Sequence, residues 1–295
     1  MDKIIKRENR GAETMGLLSF ICASLPDQKK TTVKKWLKNG HFMVEGKVIT
    51  AFDYPVAPGM TVEINLTRPF VQFHHRRLEI VYEDDDIIVV NKGYGLLSVG
   101  TGNAGSSGKS TVSRKEETAY NILRDYVKEK DPRNKIFVVH RLDRDTSGLM
   151  MFAKSAEAQM AMQHNWNNMV LSRKYVALVE GIVEEDEGVI RSNLEENSQF
   201  HVYSVGEEGR GKAATTRFRV LRRGGNTTLV EFELDTGRKN QIRVHAAEMG
   251  HPIVGDRKYG GHVSRLHRLA LHAQTLRFAH PVTRRDMHFT TPNPF

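Results

Sequence analysis

With 295 residues, 39% of them hydrophobic and 27% charged, the chain can bury a sizeable core, which excludes general disorder. A net charge of +9 and a pI near 9.6 favour a polyanionic partner, because each Lys or Arg that meets a phosphate releases condensed counterions; a basic surface that only keeps the protein soluble is the plainer alternative. No apolar run reaches the ~18 residues of a membrane helix, and a single cysteine excludes both a disulfide framework and a thiolate metal cluster.

From the N-terminus, Lys3, Lys6, Arg7 and Arg10 precede the apolar stretch MGLLSFICASL, which starts at Met15. A secretory signal is disfavoured, because Asp2, Glu8 and Glu13 interrupt the basic region and no A-x-A cleavage site follows. Leu17, Ile21 and Leu25 recur at helical spacing, which predicts an amphipathic core helix carrying Cys22 as a buried, inert thiol in a cytoplasmic protein. Val33, Trp36 and Leu37 then share one side of a short helix, Thr32 to Lys38, stopped by Asn39-Gly40. Lys30, Lys34 and Lys38 step along a neighbouring face at i, i+4 and i+8. Strands are expected at residues 41–44, 47–51 and 61–66, around the Glu45-Gly46 and Pro58-Gly59 turns. Residues 1–68 therefore read as a unit of their own. A basic helix ending in Lys-x-Gly and feeding a tight hairpin resembles the S4-type RNA-binding module. That resemblance implies RNA contacts for Lys30, Lys34 and Lys38; a solvated lysine face on an accessory domain stays open beside it.

Residues 69–295 form the second part. LEIVYEDDDIIVVNKGYGLLSV, Leu78 to Val99, predicts two hairpin strands around Asp84-Asp85-Asp86, a solvated acidic turn rather than a metal site. Gly100 to Glu117 is Gly/Ser-rich, without apolar periodicity, and is expected to be a mobile loop. It is no phosphate-binding P-loop, since position 103 is Asn where the first glycine is required. Ala119, Ile122, Leu123, Tyr126 and Val127 make a helix face that ends before Pro132. In VVHRLDRDTSGLMMFAKS, Val138 to Ser155, a charged turn lies between two apolar strands, and Ser155 can cap a helix with Met162, Trp166 and Met169 inside. RKYVALVEGIV, Arg173 to Val183, reads as a strand, as do KAATTRFRVLRR and TTLVEFELDTG. RKNQIRVHAAEMG reads as a helix with Ile242, Ala246 and Met249 inside and Gly250 as its cap, and RLALHAQTLRFAHP returns to strand. Many antiparallel-looking strands with few helices imply an α+β fold around one large, mixed, mainly antiparallel sheet with flanking helices, preceded by the small N-terminal α/β module.

The charged turn is where chemistry concentrates. Asp143 to Ser147 matches D-x-D-x-[ST] of aspartyl-phosphate phosphatases, but there the first Asp directly ends a buried strand, whereas here His140, Arg141 and Leu142 intervene. The 13 histidines include no H-E-x-x-H, so a metal hydrolase is disfavoured and no metal is expected. A glycosidase pair would need a second acid across a cleft, which Asp145 cannot be shown to supply. A single carboxylate beside arginines suits a different task, as nucleophile or base on a nucleotide extruded from RNA, with the planar Arg141 filling the gap or gripping phosphate.

HRLDRDTSGLMMFAKS resembles the signature of the RluA-type pseudouridine synthases, H-R-L-D-x-x-T-S-G-L followed by a strand ending in A-K. RKYVALVEG is similar to their K-x-Y-x-A-x-V-x-G strand, and LDTGRKNQIRVHAAEMGHPIVGDRKYGG to their T-G-R-x-H-Q-I-R-V-H block running into G-H-P-I-x-G-D-x-x-Y-G. The likeness covers nearly all of residues 78 to 290, where LHRLALHAQTLRFAHP looks like the closing strands. It implies an RNA uridine isomerase in which Asp143 is the catalytic aspartate, Arg141 fills the gap left by the flipped base, Tyr175 packs on the uracil and handles the C5 proton, and Arg243 pairs with Asp143. His140, the motif's first residue, is expected at the RNA. The isomerisation breaks N1–C1′, turns the base and joins C5 to C1′ without redox change, so no cofactor is expected. Burial alone would neutralise Asp143, whereas a cation within about 4–6 Å favours the charged form. Tyr175 offers a stacking face worth about 1–3 kcal/mol per base.

Each residue also has a plain reading: Asp143 as a turn cap, Arg243 as an exposed helix residue, Tyr175 as strand packing. Lys239-Asn240 stand where the family has Thr/Ser-His, and Gly93 stands where it often has proline. The expectation is a monomer acting on structured ribosomal or transfer RNA, with no membrane partner. A silent RNA-binding or ribosome-assembly factor and an N-glycosidase are the competing readings.

Overall fold

The computed structural model describes residues 4–71, 73–100, 117–206, 210–262 and 266–295. Most of the Gly/Ser-rich stretch expected to be a mobile loop lies outside the described residues. The chain divides into two units, Met1–Phe73 and His74–Phe295.

The first unit contains β1 (Ile4–Glu8), β2 (Met15–Gly16), α1 (Leu17–Ser24), α2 (Lys30–Lys38), β3 (Phe42–Val44), β4 (Lys47–Val48), β5 (Pro55–Val56) and β6 (Thr61–Asn65). A four-stranded sheet runs β1-β6-β3-β4, and β2 pairs with β5. Leu17, Ile21, Val33, Leu37 and Phe42 are fully buried and join the two helices to this sheet. Helix α2 starts two residues before the expected Thr32, which brings Lys30 onto it. Lys30, Lys34 and Lys38 are exposed, because the apolar positions Val33 and Leu37 fix the opposite side against the core. Gly40, at φ 79, takes the left-handed turn that ends the helix. Cys22 is half-buried rather than buried.

The second unit contains β7 (Leu78–Glu83), β8 (Ile87–Lys92), α3 (Ala119–Lys130), β9 (Phe137–Val138), β10 (Ser147–Ala153), α4 (Ala156–His164), α5 (Trp166–Met169), β11 (Val170–Glu180), β12 (Glu187–Glu196), β13 (Val202–Val205), β14 (Lys212–Arg223), β15 (Thr227–Leu234), α6 (Gln241–Glu248), β16 (Leu271–Ala279) and β17 (Asp286–Thr290). They form an eleven-stranded sheet ordered β13-β12-β14-β15-β11-β16-β10-β8-β7, with β17 also on β16 and β9 also on β10. Among the described strands only β10 and β16 pair in parallel, so the sheet is mixed and mainly antiparallel. Strand β10 is buried along its whole length, which explains why SGLMMFA is almost continuously apolar rather than alternating. Gly148 is required there: at φ 117, an added Cβ would lie 2.2 Å from the Ala273 carbonyl oxygen of β16.

Helices α4 and α5 pack Met162 and Met169 against Ile87, Met151 and Phe278, and Ser155 caps α4 by accepting from the Ala158 N–H at 3.0 Å. Helix α6 packs Val244 on Leu194, Val202 and Ala214 at the other end of the sheet. Met249 is half-buried rather than inside, because the helix has already ended there. Strand β11 begins at Val170, before the expected Arg173, and ends at Glu180, where Gly181 at φ 75 turns the chain. The Asp84-Asp86 turn is more organised than a solvated loop. Asp84 accepts from the Asp86 and Ile87 N–H groups, the Tyr82 hydroxyl and His280. Asp84, Asp86 and His280 are also the one cluster with metal-ligand spacing among the described residues, and those hydrogen bonds account for their proximity.

Candidate active site

Residues 139–146 link β9 to β10 and carry Asp143. This loop is pinned from several sides. Ser98 Oγ donates to the Leu142 carbonyl at 2.7 Å and accepts from its N–H at 3.1 Å. Asp143 O accepts from the Thr146 N–H at 3.2 Å. Lys92, fully buried, donates to the carbonyls of Leu96, Arg144 and Gly93 at 2.8, 3.1 and 3.2 Å. Burial lowers its pKa to about 8, opposed by Asp145 and Asp143. These bonds hold the backbone while the Asp143 carboxylate faces a cavity of about 750 Å³.

Helix α6 supplies the cation. Asn240 precedes it in the left-handed region at φ 54, which Asn tolerates better than most residues. Gln241 fixes the entry by accepting from the Arg238 N–H and donating to Thr215 O and Thr216 Oγ1. Arg243 then points from the first turn into the cavity. Its Nη1 lies 3.9 Å from Asp143 Oδ2, but its Nε and Nη2 each donate to Asp256 at 2.7 Å, and Nη1 also donates to Asn240 Oδ1 at 3.1 Å. The Asp256 side chain is fully buried, and Tyr259 lies 5.0 Å from the guanidinium.

This arrangement changes the expected electrostatics. Burial raises the Asp143 pKa above the ordinary aspartate value of 3.8, and the cations Arg243, Arg141, Lys239 and Lys92, which pull it down, do not outweigh that. The physical reason is burial itself, which outweighs a guanidinium held 3.9 Å away and bonded to Asp256. The cation was expected to win over burial, and it does not.

Tyr175, 9% exposed on β11, lines the same cavity. Burial pushes its hydroxyl pKa up, Arg173 opposes and Asp143 adds, so the hydroxyl keeps its proton at neutral pH. A register shift between Lys174 and Tyr175 in the pairing with β16 lies beside it, a bulge of the kind that re-aims side chains. Arg141 is exposed at the cavity lining. His140 also lines the cavity, but its Nε2 accepts from the Met151 N–H at 3.0 Å and its ring lies 5.2 Å from Trp166. Burial and then Arg173 lower its pKa to about 3, so it faces the cleft as a neutral ring and not as a cation. The structure thus gathers Asp143, Tyr175, Arg243, Arg141 and His140 around one cavity, while Lys30, Lys34 and Lys38 belong to the other unit.

The sequence reading missed Asp256, Lys92 and Arg173. Asp256 lay within the quoted G-D-x-x-Y-G run, and Lys92 within LEIVYEDDDIIVVNKGYGLLSV, but nothing local tells which distant group either meets. Arg173 crosses the cavity wall, its guanidinium 5.5 Å from the Trp166 ring and donating to Leu234 O at 3.3 Å. Gly237 permits this, since a Cβ there would meet Arg173 Nη1 at 2.7 Å. The departures at 239, 240 and 93 also gain an account. Lys239 pairs with Glu196, and Asn240 ties Arg243 to the Tyr259 hydroxyl, to which it donates at 3.0 Å. Gly93 donates its N–H to Arg77 O at 2.7 Å, a bond proline lacks.

A family profile described as RNA pseudouridylate synthase matches residues 86–248. The sequence is 34% identical over 282 residues to the uncharacterized RNA pseudouridine synthase YlyB of Bacillus subtilis (strain 168), covering 93% of this chain and 89% of that protein. It is 32% identical over 289 residues to ribosomal large subunit pseudouridine synthase D of Pasteurella multocida (strain Pm70), covering 91% and 85%. Among solved structures, human RNA pseudouridylate synthase domain containing 1 aligns with a TM-score of 0.57 and 28% identity over 77% of this chain and 87% of that one. Human RNA pseudouridylate synthase domain containing 4 shares the fold, with a TM-score of 0.59 and 23% identity over 73% and 88%.

Proposed function

The chain belongs to the RNA pseudouridylate synthase family, and from that premise we propose that Asp143, Tyr175 and Arg243 isomerise a uridine of ribosomal RNA that has been everted into the cavity. That the protein is an RNA pseudouridine synthase follows from the family; the residue roles and the substrate are our reading. The observation that carries it is the approach of the Arg243 guanidinium to the Asp143 carboxylate at 3.9 Å in a cavity that Tyr175 also lines.

Above its raised pKa, Asp143 presents an anionic oxygen to the sugar and base edge, as nucleophile or base. The N1–C1′ bond breaks, the uracil turns against the Tyr175 ring without leaving, and C5 bonds to C1′. C5 loses its proton and N1 gains one, so the product is an isomer and no external reactant is consumed. Tyr175, still protonated, can take part in that transfer, and the enclosing walls keep water from capturing the sugar. Arg141, exposed at the lining, occupies the space the base vacates. His140 contributes a neutral wall.

Ribosomal RNA is favoured because the relatives include a ribosomal large subunit enzyme, and a net charge of +9 suits any RNA. The first unit is read as an S4-like RNA-binding module, supported by the exposed Lys30, Lys34 and Lys38 along one helix. No helix among the described residues is long and apolar enough to cross a membrane. We propose that the protein acts in the cytoplasm, as a monomer. The test is to incubate unmodified ribosomal RNA transcripts with wild type and Asp143→Asn and to map pseudouridine by carbodiimide-dependent primer-extension stops. Stops are expected with wild type alone; equal stops with both proteins, or release of free uracil in mass spectra, would sink the reading.

A further inference from the structure

Beside the cavity, the turn between β12 and β13 presents a feature that the isomerisation does not use. Phe200 is 69% exposed, the largest exposure of any large hydrophobic side chain in the described residues, and its backbone sits at φ 59. A bulky residue avoids that left-handed region unless its surroundings enforce it. Here they do. The Asn197 side chain accepts from the Gln199 and His201 N–H groups at 3.0 and 2.9 Å, and the Phe200 N–H and Asn197 carbonyl are joined at 3.0 Å. Lys258 donates to the Phe200 carbonyl, and the His201 ring packs 4.9 Å from Tyr259. The turn is held, and what it holds out is an aromatic face.

Its position connects it to the active site. Lys239 Nζ lies 5.2 Å from the Phe200 ring centroid and pairs with Glu196, and both Lys239 and Glu196 line the cavity that contains Asp143. A lone exposed apolar residue needs no explanation. An exposed ring in a strained, hydrogen-bonded turn, flanked by two lysines at the lip of an RNA-modifying cavity, combines a stacking surface with phosphate-seeking charge. That pairing is how proteins grip unstacked nucleotides with little sequence preference.

We propose that Phe200 stacks on the base next to the everted uridine, with Lys239 and Lys258 at the intervening phosphate. The eversion unstacks one face on each of the two neighbours; Arg141 covers one of them, and the Phe200 ring covers the other. The proposal deepens the isomerase reading and rests on it.

With an unmodified transcript of large-subunit ribosomal RNA as the probe, Phe200→Ala is expected to weaken equilibrium binding about tenfold, the loss of one stacked base, and Phe200→Trp to restore it. Phe200→Gly suits the left-handed backbone, so it should keep the wild-type melting temperature and still bind as poorly as Phe200→Ala. In a stem-loop around the mapped uridine, 2-aminopurine on one side of that uridine should be quenched by wild type and by Phe200→Trp, but not by Phe200→Ala. In turnover, the loss should fall on KM rather than kcat. Wild-type affinity in both the Ala and Gly variants, or quenching that persists without the ring, overturns the proposal. A wild-type protein that binds and quenches yet makes no pseudouridine would instead remove the isomerase reading and leave the stacking contact standing.

Discussion

Asp143 is half-buried, its side chain 28% exposed, beside a cation that is already engaged. Because burial lifts its pKa above 3.8, the acid limb of kcat/KM should lie above the range of an ordinary aspartate, the active form being ionised. Arg243 is the largest of the opposing influences, so Arg243→Met should move that limb to still higher pH. It should also cost on the order of 10²-fold in rate, the usual effect of losing one preorganised donor. Single-turnover rates measured across pH would reveal both changes; a limb that stays in place would mean Arg243 does not act on Asp143. The same shift has a consequence for stability. A carboxyl whose folded pKa is raised favours the fold only while protonated, so as pH climbs through 3.8 and then through the folded value, stability declines to a fixed deficit. Asp143→Asn should therefore melt at a higher temperature than wild type at neutral pH, with the difference closing as pH falls towards 3.8. Equal melting temperatures at pH 7 would show that the carboxylate is not strained by its burial.

Elements matter here through where they bring residues close. Strand β10 leaves the Asp143 loop and at once meets β16 in the sheet's parallel pairing, Ser147 against His272 and Gly148 against Ala273. The backbones approach so closely that Gly148 has no room for a methyl group. Gly148→Ala is expected to lose about 3 kcal/mol or more in urea unfolding, through the clash and the φ of 117 together; a loss under about 1 kcal/mol would mean the junction yields easily. The sequence patterns located many of these elements, because apolar period and turn residues are local properties, but β12, β13 and β17 were not read from them. Strands at Leu78, Ile87 and Ser147, helices at Ala119 and Gln241, and the Ser155 cap could all be read in this way. Boundaries drifted where no punctuating residue stood, as at the start of β11. Pairing partners were not legible, since β11 lies between β15 and β16, which are distant from each other in the chain.

At the scale of the molecule, the second unit holds the cavity and the first carries the lysine face of α2. If those lysines meet phosphates, replacing Lys30, Lys34 and Lys38 by Gln should reduce the slope of log K against log salt by about 2–3, at ~0.7–0.9 per contact, without altering the rate at saturating RNA. An unchanged slope in filter binding would move the contact elsewhere. The three family-like segments, read from the sequence alone, carry the proposed chemistry: an aspartate in a tight turn, a tyrosine on a strand and an arginine on a helix, with α+β patterning around them. Those depend on residue identity and spacing, which a sequence states outright. Only the tertiary structure decided that Asp256 holds Arg243, that Lys92 clamps the loop carrying Asp143, that His140 is neutral and that Phe200 stands out at the cavity's lip. Electrostatic fields and close packing follow distance in space, and the residues concerned are brought together only when the sheet closes around them.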